Sequence, residues 1–223
     1  VPVTDWSFLH DALNLKELII QQNDLTDLTF LPDLKRLESL SIYESNLKSL
    51  SGIETLTSLQ YLIISQNKVD DLTPLQNLSQ LVSLDIPDNQ VVSLSPIQNL
   101  NKLTYLSIDC NPIQDYSLLA SLQNLTYLSM MENDVATLDF VSNMHQLQRL
   151  QIIGTQINDL SVLADKKHLQ YLDIRDTKVV TVKPLLPLKE LQFLILDKKL
   201  IQDWSLLENK VGLTISENII LAQ

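Results

Sequence analysis

Leucine recurs every 22 residues without interruption, at Leu15, Leu37, Leu59, Leu81, Leu103, Leu125, Leu147, Leu169, Leu191 and Leu213. A second leucine column lies three residues further on, from Leu18 and Leu40 to Leu194. Two residues beyond it come Ile20, Ile42, Ile64, Ile86, Ile108, Met130, Ile152, Ile174 and Leu196. A fixed interval of this length describes a solenoid, in which each short coil covers its apolar side only by packing on the next. The 223 residues therefore form one elongated domain, with a long regular surface instead of a catalytic pocket.

Each coil reads as two halves. The first alternates with period two, as in Leu62-Ile63-Ile64, and predicts a short strand. The second is apolar at every third residue, as in Val69, Leu72, Leu75 and Leu78, a spacing that fits 3₁₀ geometry better than an α-helix. Thr73-Pro74, Ser95-Pro96, Ser117-Leu118 and Ser161-Val162 place a hydroxyl where the return segment needs an N-cap. Two residues earlier Asp5, Asp27, Asp71, Asp115, Asp159 and Asp203 are suited to bonding turn amides. Between the halves runs a column of Asn23, Asn67, Asn89, Asn111 and Asn133, with Ser45 in the second coil and Thr155 and Thr177 as its continuation. Stacked amides there are expected to satisfy buried turn amides of adjacent coils.

The pattern L-x-x-L-x-I-x-x-N resembles the leucine-rich repeat over about residues 5–210. Its 22-residue length and the Asp71-to-Leu75 form D-L-T-P-L resemble the short class shared by bacterial internalins and protein-phosphatase-regulating repeat proteins. The resemblance implies an α/β solenoid: a right-handed, curved array with a concave parallel β-sheet and convex 3₁₀ turns. It also implies non-enzymatic protein binding through the concave face. Residues 1–14 read as a partial N-terminal repeat or atypical cap, with Trp6, Leu9 and Ala12 in the apolar columns. Residues 15–212 make nine repeats and 213–223 a strand-like C-terminal cap, with Thr214–Ala222 as the strand. Lys199 stands in the ladder column and Lys210 in an apolar one. Lys166 also occupies an apolar column, and a loosened turn is expected to direct it outward.

Strand residues between the core columns face the concave surface. The first outward column contains Tyr61, Tyr105, Tyr127, Arg149, Tyr171 and Phe193, the next Asp85 and Asp173, and the third Asp109, Met131 and Arg175. Asp88 and Glu132 lie beside them. These thirteen residues are the predicted protein-binding set; at mid-arc Tyr105, Tyr127 and Met131 with Asp85, Asp88, Asp109 and Glu132 make an apolar-aromatic centre with an acidic rim suited to a partner with a basic patch.

Other chemistries find little support. A net charge of −11 argues against nucleic-acid or anionic-membrane binding, and no apolar run reaches the roughly 18 residues of a membrane span. Three glycines nearly exclude phosphate loops, and the lone Cys110 reads as passive. His10, His145 and His168 share no spacing, so no metal site, cofactor or catalytic triad is expected. Asn77-Leu78-Ser79 and Asn124-Leu125-Thr126 match the glycosylation sequon, a frequent chance match in such a composition. The chain starts at Val1 without Met, which is expected of a piece of a longer protein. The leading expectation is a monomeric bacterial protein, exported or on the surface, that binds another protein. The alternatives are an intracellular regulatory subunit docking a catalytic partner and the targeting module of a larger enzyme or toxin.

Overall fold

The computed structural model describes residues 3–31 and 34–217. The expected strand residues beyond 217 lie outside that range. Ten strands line one sheet in chain order: β1 Glu17–Gln21, β2 Ser39–Tyr43, β3 Tyr61–Ser65, β4 Ser83–Asp85, β5 Tyr105–Ser107, β6 Tyr127–Ser129, β7 Arg149–Gln151, β8 Tyr171–Asp173, β9 Phe193–Ile195 and β10 Thr214–Ser216. All pairs are parallel, and the leucine column is in register, Leu18 opposite Leu40 and Leu40 opposite Leu62. At the far end Ile215 pairs with Leu194, one residue short of the 22-residue interval. A 3₁₀ turn precedes β1 and each of β3 to β10, from Ser7–Asp11 to Trp204–Leu207, whereas the described residues between β1 and β2 form only turns and bends. The result is the expected open, curved, right-handed solenoid, since parallel crossovers have that hand.

Leucine and isoleucine columns from strand and return meet in one continuous core, with Leu62, Ile64, Leu75 and Leu81 fully buried. At the first coil Leu15 and Leu18 are only partly covered. The asparagine column forms the expected ladder. Asn67 Oδ1 accepts Ser45 N–H (3.1 Å) and Leu47 N–H (3.0 Å) from the preceding coil, while its Nδ2 donates to Ile42 O (3.0 Å). Asn89, Asn111 and Asn133 repeat this bridge. Thr155 and Thr177 instead donate to a carbonyl three residues back, Ile152 O and Ile174 O, both at 2.7 Å, and Thr177 Oγ1 also accepts Val179 N–H at 3.4 Å. The Ser45 hydroxyl keeps one bond to the preceding coil, accepting Asn23 N–H at 3.3 Å. Lys199 is exposed, so the ladder has no counterpart there.

The N-cap expectation needs correction. Thr73, Ser95, Ser117 and Ser161 begin the 3₁₀ turns and cap nothing; a leucine or Tyr116 holds the cap position before each. The capping acceptor is the residue two earlier. Asp71 Oδ1 accepts Thr73 N–H (2.8 Å) and its hydroxyl (2.6 Å), and Asp115 and Asp159 hold Ser117 N–H and Ser161 N–H at 2.9 and 2.8 Å. These hydrogen bonds lower the carboxyl pKa of Asp5, Asp27, Asp115 and Asp159. From Asp27 onward the column alternates: Asp27, Ser49, Asp71, Ser93, Asp115, Thr137, Asp159, Thr181, Asp203. Ser49, Ser93 and Thr181 accept the same N–H more weakly, at 3.1–3.3 Å. Neighbouring coils lie about 4.8 Å apart, so the alternation keeps carboxylates from stacking on one another. Thr181 Oγ1 instead donates to Asp203 Oδ2 at 2.6 Å.

Lys166 is a second correction, for it is fully buried and does not turn outward. Its Nζ donates to Ser142 O (2.7 Å), the carbonyl that ends the preceding 3₁₀ turn, and to Asp165 Oδ1 (2.8 Å). Lys210, in the same column, donates to Leu185 O and Leu186 O at 3.1 Å. A lysine stem fills the apolar column while its head donates to carbonyls at the end of the preceding 3₁₀ turn.

Candidate protein-binding face

The curved sheet presents three outward columns, and packing treats them differently. Tyr105 and Tyr127, opposite each other on β5 and β6, stack at 4.2 Å between centroids with rings 6° from parallel. The Tyr127 hydroxyl donates to Gln151 Oε1 (3.0 Å). Burial raises both phenols above their ordinary pKa; Tyr127 and Asp85 add to the rise at Tyr105, whereas the Tyr105 hydroxyl partly offsets the rise at Tyr127. Tyr61 has only serines opposite, Ser39 and Ser83, and stands alone at 47% exposure.

The middle column is largely covered. Ser41, Ser107, Ser129, Asp173 and Ile195 are buried, because longer side chains on both sides close over them at the inner curve. Asp109 is buried with them. It accepts Ser129 Oγ (2.6 Å) and Met131 N–H (2.7 Å) on Oδ1, and Ser107 Oγ (3.3 Å) on Oδ2. Burial raises its carboxyl pKa, and Asp85 beside it is raised by the same cause. Asp173 is fully buried and takes a two-point bond from Arg175, Nε at 2.9 Å and Nη2 at 2.7 Å. Asp109 therefore does not belong to an exposed acidic rim, contrary to expectation, and Asp173 is likewise withdrawn from solvent.

Tyr171 also departs from the solvent-facing expectation. The Arg149 guanidinium lies 4.7 Å above its ring centroid and Phe193 stands 6.4 Å away, leaving Tyr171 buried. The thirteen predicted residues thus divide. Asp85, Tyr105, Asp109 and Tyr127 form one cluster, with Met131 attached through its backbone. Asp88 joins the first cluster through its N–H to Asp109 O; Arg149, Tyr171, Phe193, Asp173 and Arg175 form another, while Tyr61 and Glu132 stand clear of both.

Sequence reasoning missed a column with a shared backbone conformation. Gln22, Glu44, Gln66, Asp88, Cys110, Glu132 and Asp176 are left-handed, with φ between 48° and 56°, and Gly154 completes the series at 69°. This conformation turns the chain off the strand yet keeps one more inter-coil bond. Asp88 N–H reaches Asp109 O, Cys110 N–H reaches Met131 O and Glu132 N–H reaches Ile153 O, at 2.8–3.0 Å. Non-glycine residues resist it by roughly 1–2 kcal/mol, which the recurring hydrogen bond offsets. The legible signal was a 22-residue column free of β-branched side chains. Its side chains are exposed, so Glu44, Asp88, Glu132 and Asp176 form the accessible acidic rim. Cys110 shares this column, and partial desolvation followed by Asp88 pushes its thiol up to about 11, away from thiolate chemistry.

Among the described residues no group of three or more His, Cys, Asp or Glu side chains is placed to hold a metal ion. No helix among them is long and apolar enough to cross a membrane. His168 meets Glu190 at 3.3 Å on the exposed return side.

No protein-family model matches the chain, and no curated protein does. Solved structures do resemble it. Internalin C2 of Listeria monocytogenes is 26% identical, with a TM-score of 0.77 over 84% of this chain and 83% of the other. A leucine-rich repeat protein of Leptospira interrogans, 24% identical, gives a TM-score of 0.80 over 91% of this chain and 55% of its own length. A plant peptide hormone receptor solved with its hormone is 21% identical, with a TM-score of 0.67 over 82% of this chain and 32% of that one. Ten parallel strands, nine of them in 22-residue register, the 3₁₀ turns and these likenesses give the chain the fold of a short-repeat leucine-rich repeat protein, similar to the internalins.

Proposed function

We propose that this chain is a non-enzymatic protein-binding scaffold that works through its concave face, and that it is a bacterial exported or surface protein. The observation that carries this reading is the accessible part of that face. Tyr61, the edges of the Tyr105–Tyr127 stack, Arg149 and the left-handed rim of Asp88 and Glu132 project from a sheet locked coil to coil. Aromatic and arginine side chains held on a rigid support lose little entropy on binding and are enriched among energetically dominant contacts. Internalin C2, a bacterial protein, covers most of this chain, and a plant receptor of the same fold is seen in complex with a peptide hormone.

The test is affinity capture from host and bacterial surface extracts with three baits: wild type, Tyr61→Ala/Arg149→Ala/Glu132→Ala, and a return-side control, Lys167→Ala/Lys189→Ala. Proteins held by wild type and control but lost from the concave variant support the reading. Equal capture by all three baits sinks it.

A further inference from the structure

We propose that the flank of the solenoid, where strand ends pass into the 3₁₀ turns, is a docking groove for an extended basic polypeptide segment. This surface is separate from the concave face. One hollow of about 700 Å³ lies among Asp70, Asp71, Val92, Pro96 and Pro112. A second, of about 480 Å³, lies among Asp115, Tyr116, Ala120, Asp134, Asp139 and Phe140. Asp139 also borders a third, of about 250 Å³, that reaches Asp159 and Val162. Successive hollows follow successive coils and form a groove along the stack.

The charge on this flank is one-sided. Residues 67–75, 89–97, 111–119, 133–141 and 155–163 contain six aspartates (Asp70, Asp71, Asp115, Asp134, Asp139 and Asp159) and a single base, Lys68. All six are exposed, whereas Asp109 and Asp173 of the concave face are buried and consumed by internal bonds. The groove also has apolar walls. Val92 is 42% exposed, and Tyr116 and Phe140 lie 6.3 Å apart in the second hollow. The Tyr116 hydroxyl in that wall is buried without a hydrogen-bond partner, a donor that a peptide carbonyl would satisfy after a small shift.

Five coils at about 4.8 Å span roughly 19 Å, the length of about six residues of extended chain at about 3.3 Å each. Lysine and arginine side chains match this surface twice over. Their charged heads meet the aspartates, and their stems and cationic faces suit the prolines and aromatic rings. The same negative field repels nucleic acid and anionic lipid.

The test uses fluorescein-labelled nona-arginine and fluorescence anisotropy on the intact chain. Asp70→Asn/Asp134→Asn/Asp139→Asn removes three groove charges that make no capping bond. Asp88→Asn/Glu132→Gln/Asp176→Asn removes three from the concave rim, so net charge is matched. The groove variant should lose affinity at least tenfold and the rim variant less than twofold, with far-UV circular dichroism unchanged in both. Equal losses would mean attraction by net charge alone and overturn the proposal, as would full affinity in the groove variant or no binding by wild type. The rim variant shares Glu132 with the concave-face capture, but the groove variant alters no concave residue, so a loss confined to the groove variant is read independently of that capture.

Discussion

Replacing Asn111 measures how much of the stack rests on its ladder. Asn111 is 4% exposed and makes four bonds. Its Oδ1 accepts Val91 N–H (3.0 Å), and its Nδ2 donates to Ile86 O (2.9 Å), Ile108 O (3.1 Å) and Asp109 O (3.0 Å). Asn111→Ala strands the Val91 N–H in the core, at a cost of about 1–3 kcal/mol, and removes the donated bonds at about 1 kcal/mol each, two of which share hydrogens. The expected loss is about 3–4 kcal/mol. Asn111→Thr should cost about 1 kcal/mol less, because its hydroxyl can donate three residues back as Thr155 and Thr177 do. It still leaves Val91 N–H without an acceptor. Urea unfolding gives these differences if circular dichroism, which reports the whole stack, coincides with the fluorescence of Trp6 and Trp204, placed near opposite ends. A loss below about 1 kcal/mol for alanine, or no difference between alanine and threonine, would refute the ladder argument.

Asp109→Asn keeps an acceptor for Ser129 and Met131 N–H but removes a buried charge. Burial raises the wild-type carboxyl pKa, so its penalty is full at neutral pH and fades as the group takes up a proton on acidification. The variant should be at least as stable as wild type at pH 7, with an advantage that shrinks towards a pH of about 4 in paired thermal melts; an advantage that grows would contradict this. Tyr116→Phe deletes the partnerless hydroxyl and should raise stability by about 1 kcal/mol, and a lowered Tm would count against it. Gly52, at φ 106°, has no room for a Cβ, which would strike the Leu28 carbonyl and come within 2.8 Å of Thr29 N. Gly52→Ala should therefore cost at least about 2 kcal/mol in urea unfolding, and a neutral substitution would show that this turn relaxes freely.

Strand, return and ladder were legible because each depends on spacing along the chain, and Leu62, Leu75 and Asn67 sit where the 22-residue columns put them. What escaped depends on neighbours one coil away. Asp109 alternates outward as expected, yet Ser107 and Ser129 donate to it and Met131 N–H closes over it. Reading residues 22 apart as side-by-side neighbours would have found those hydroxyls. Tyr171 likewise faces outward by alternation and is hidden by Arg149 across the β7–β8 pair. Lys166 was read as a charge in an apolar column and hence expelled, but the open Ser142 carbonyl one coil back draws its head inside. The left-handed column carries no glycine except Gly154, so composition hid a backbone feature that only the φ angles reveal.

The Asp27-to-Asp203 alternation has a consequence for how such an array can change length. Excising the single coil that carries Ser93 would bring Asp71 and Asp115 face to face, with no hydroxyl donor between them. Excising two adjacent coils restores an acid beside an alcohol. By this measure a doublet is the unit that leaves the alternation intact, and removing two adjacent coils should cost less stability than removing the single coil that carries Ser93.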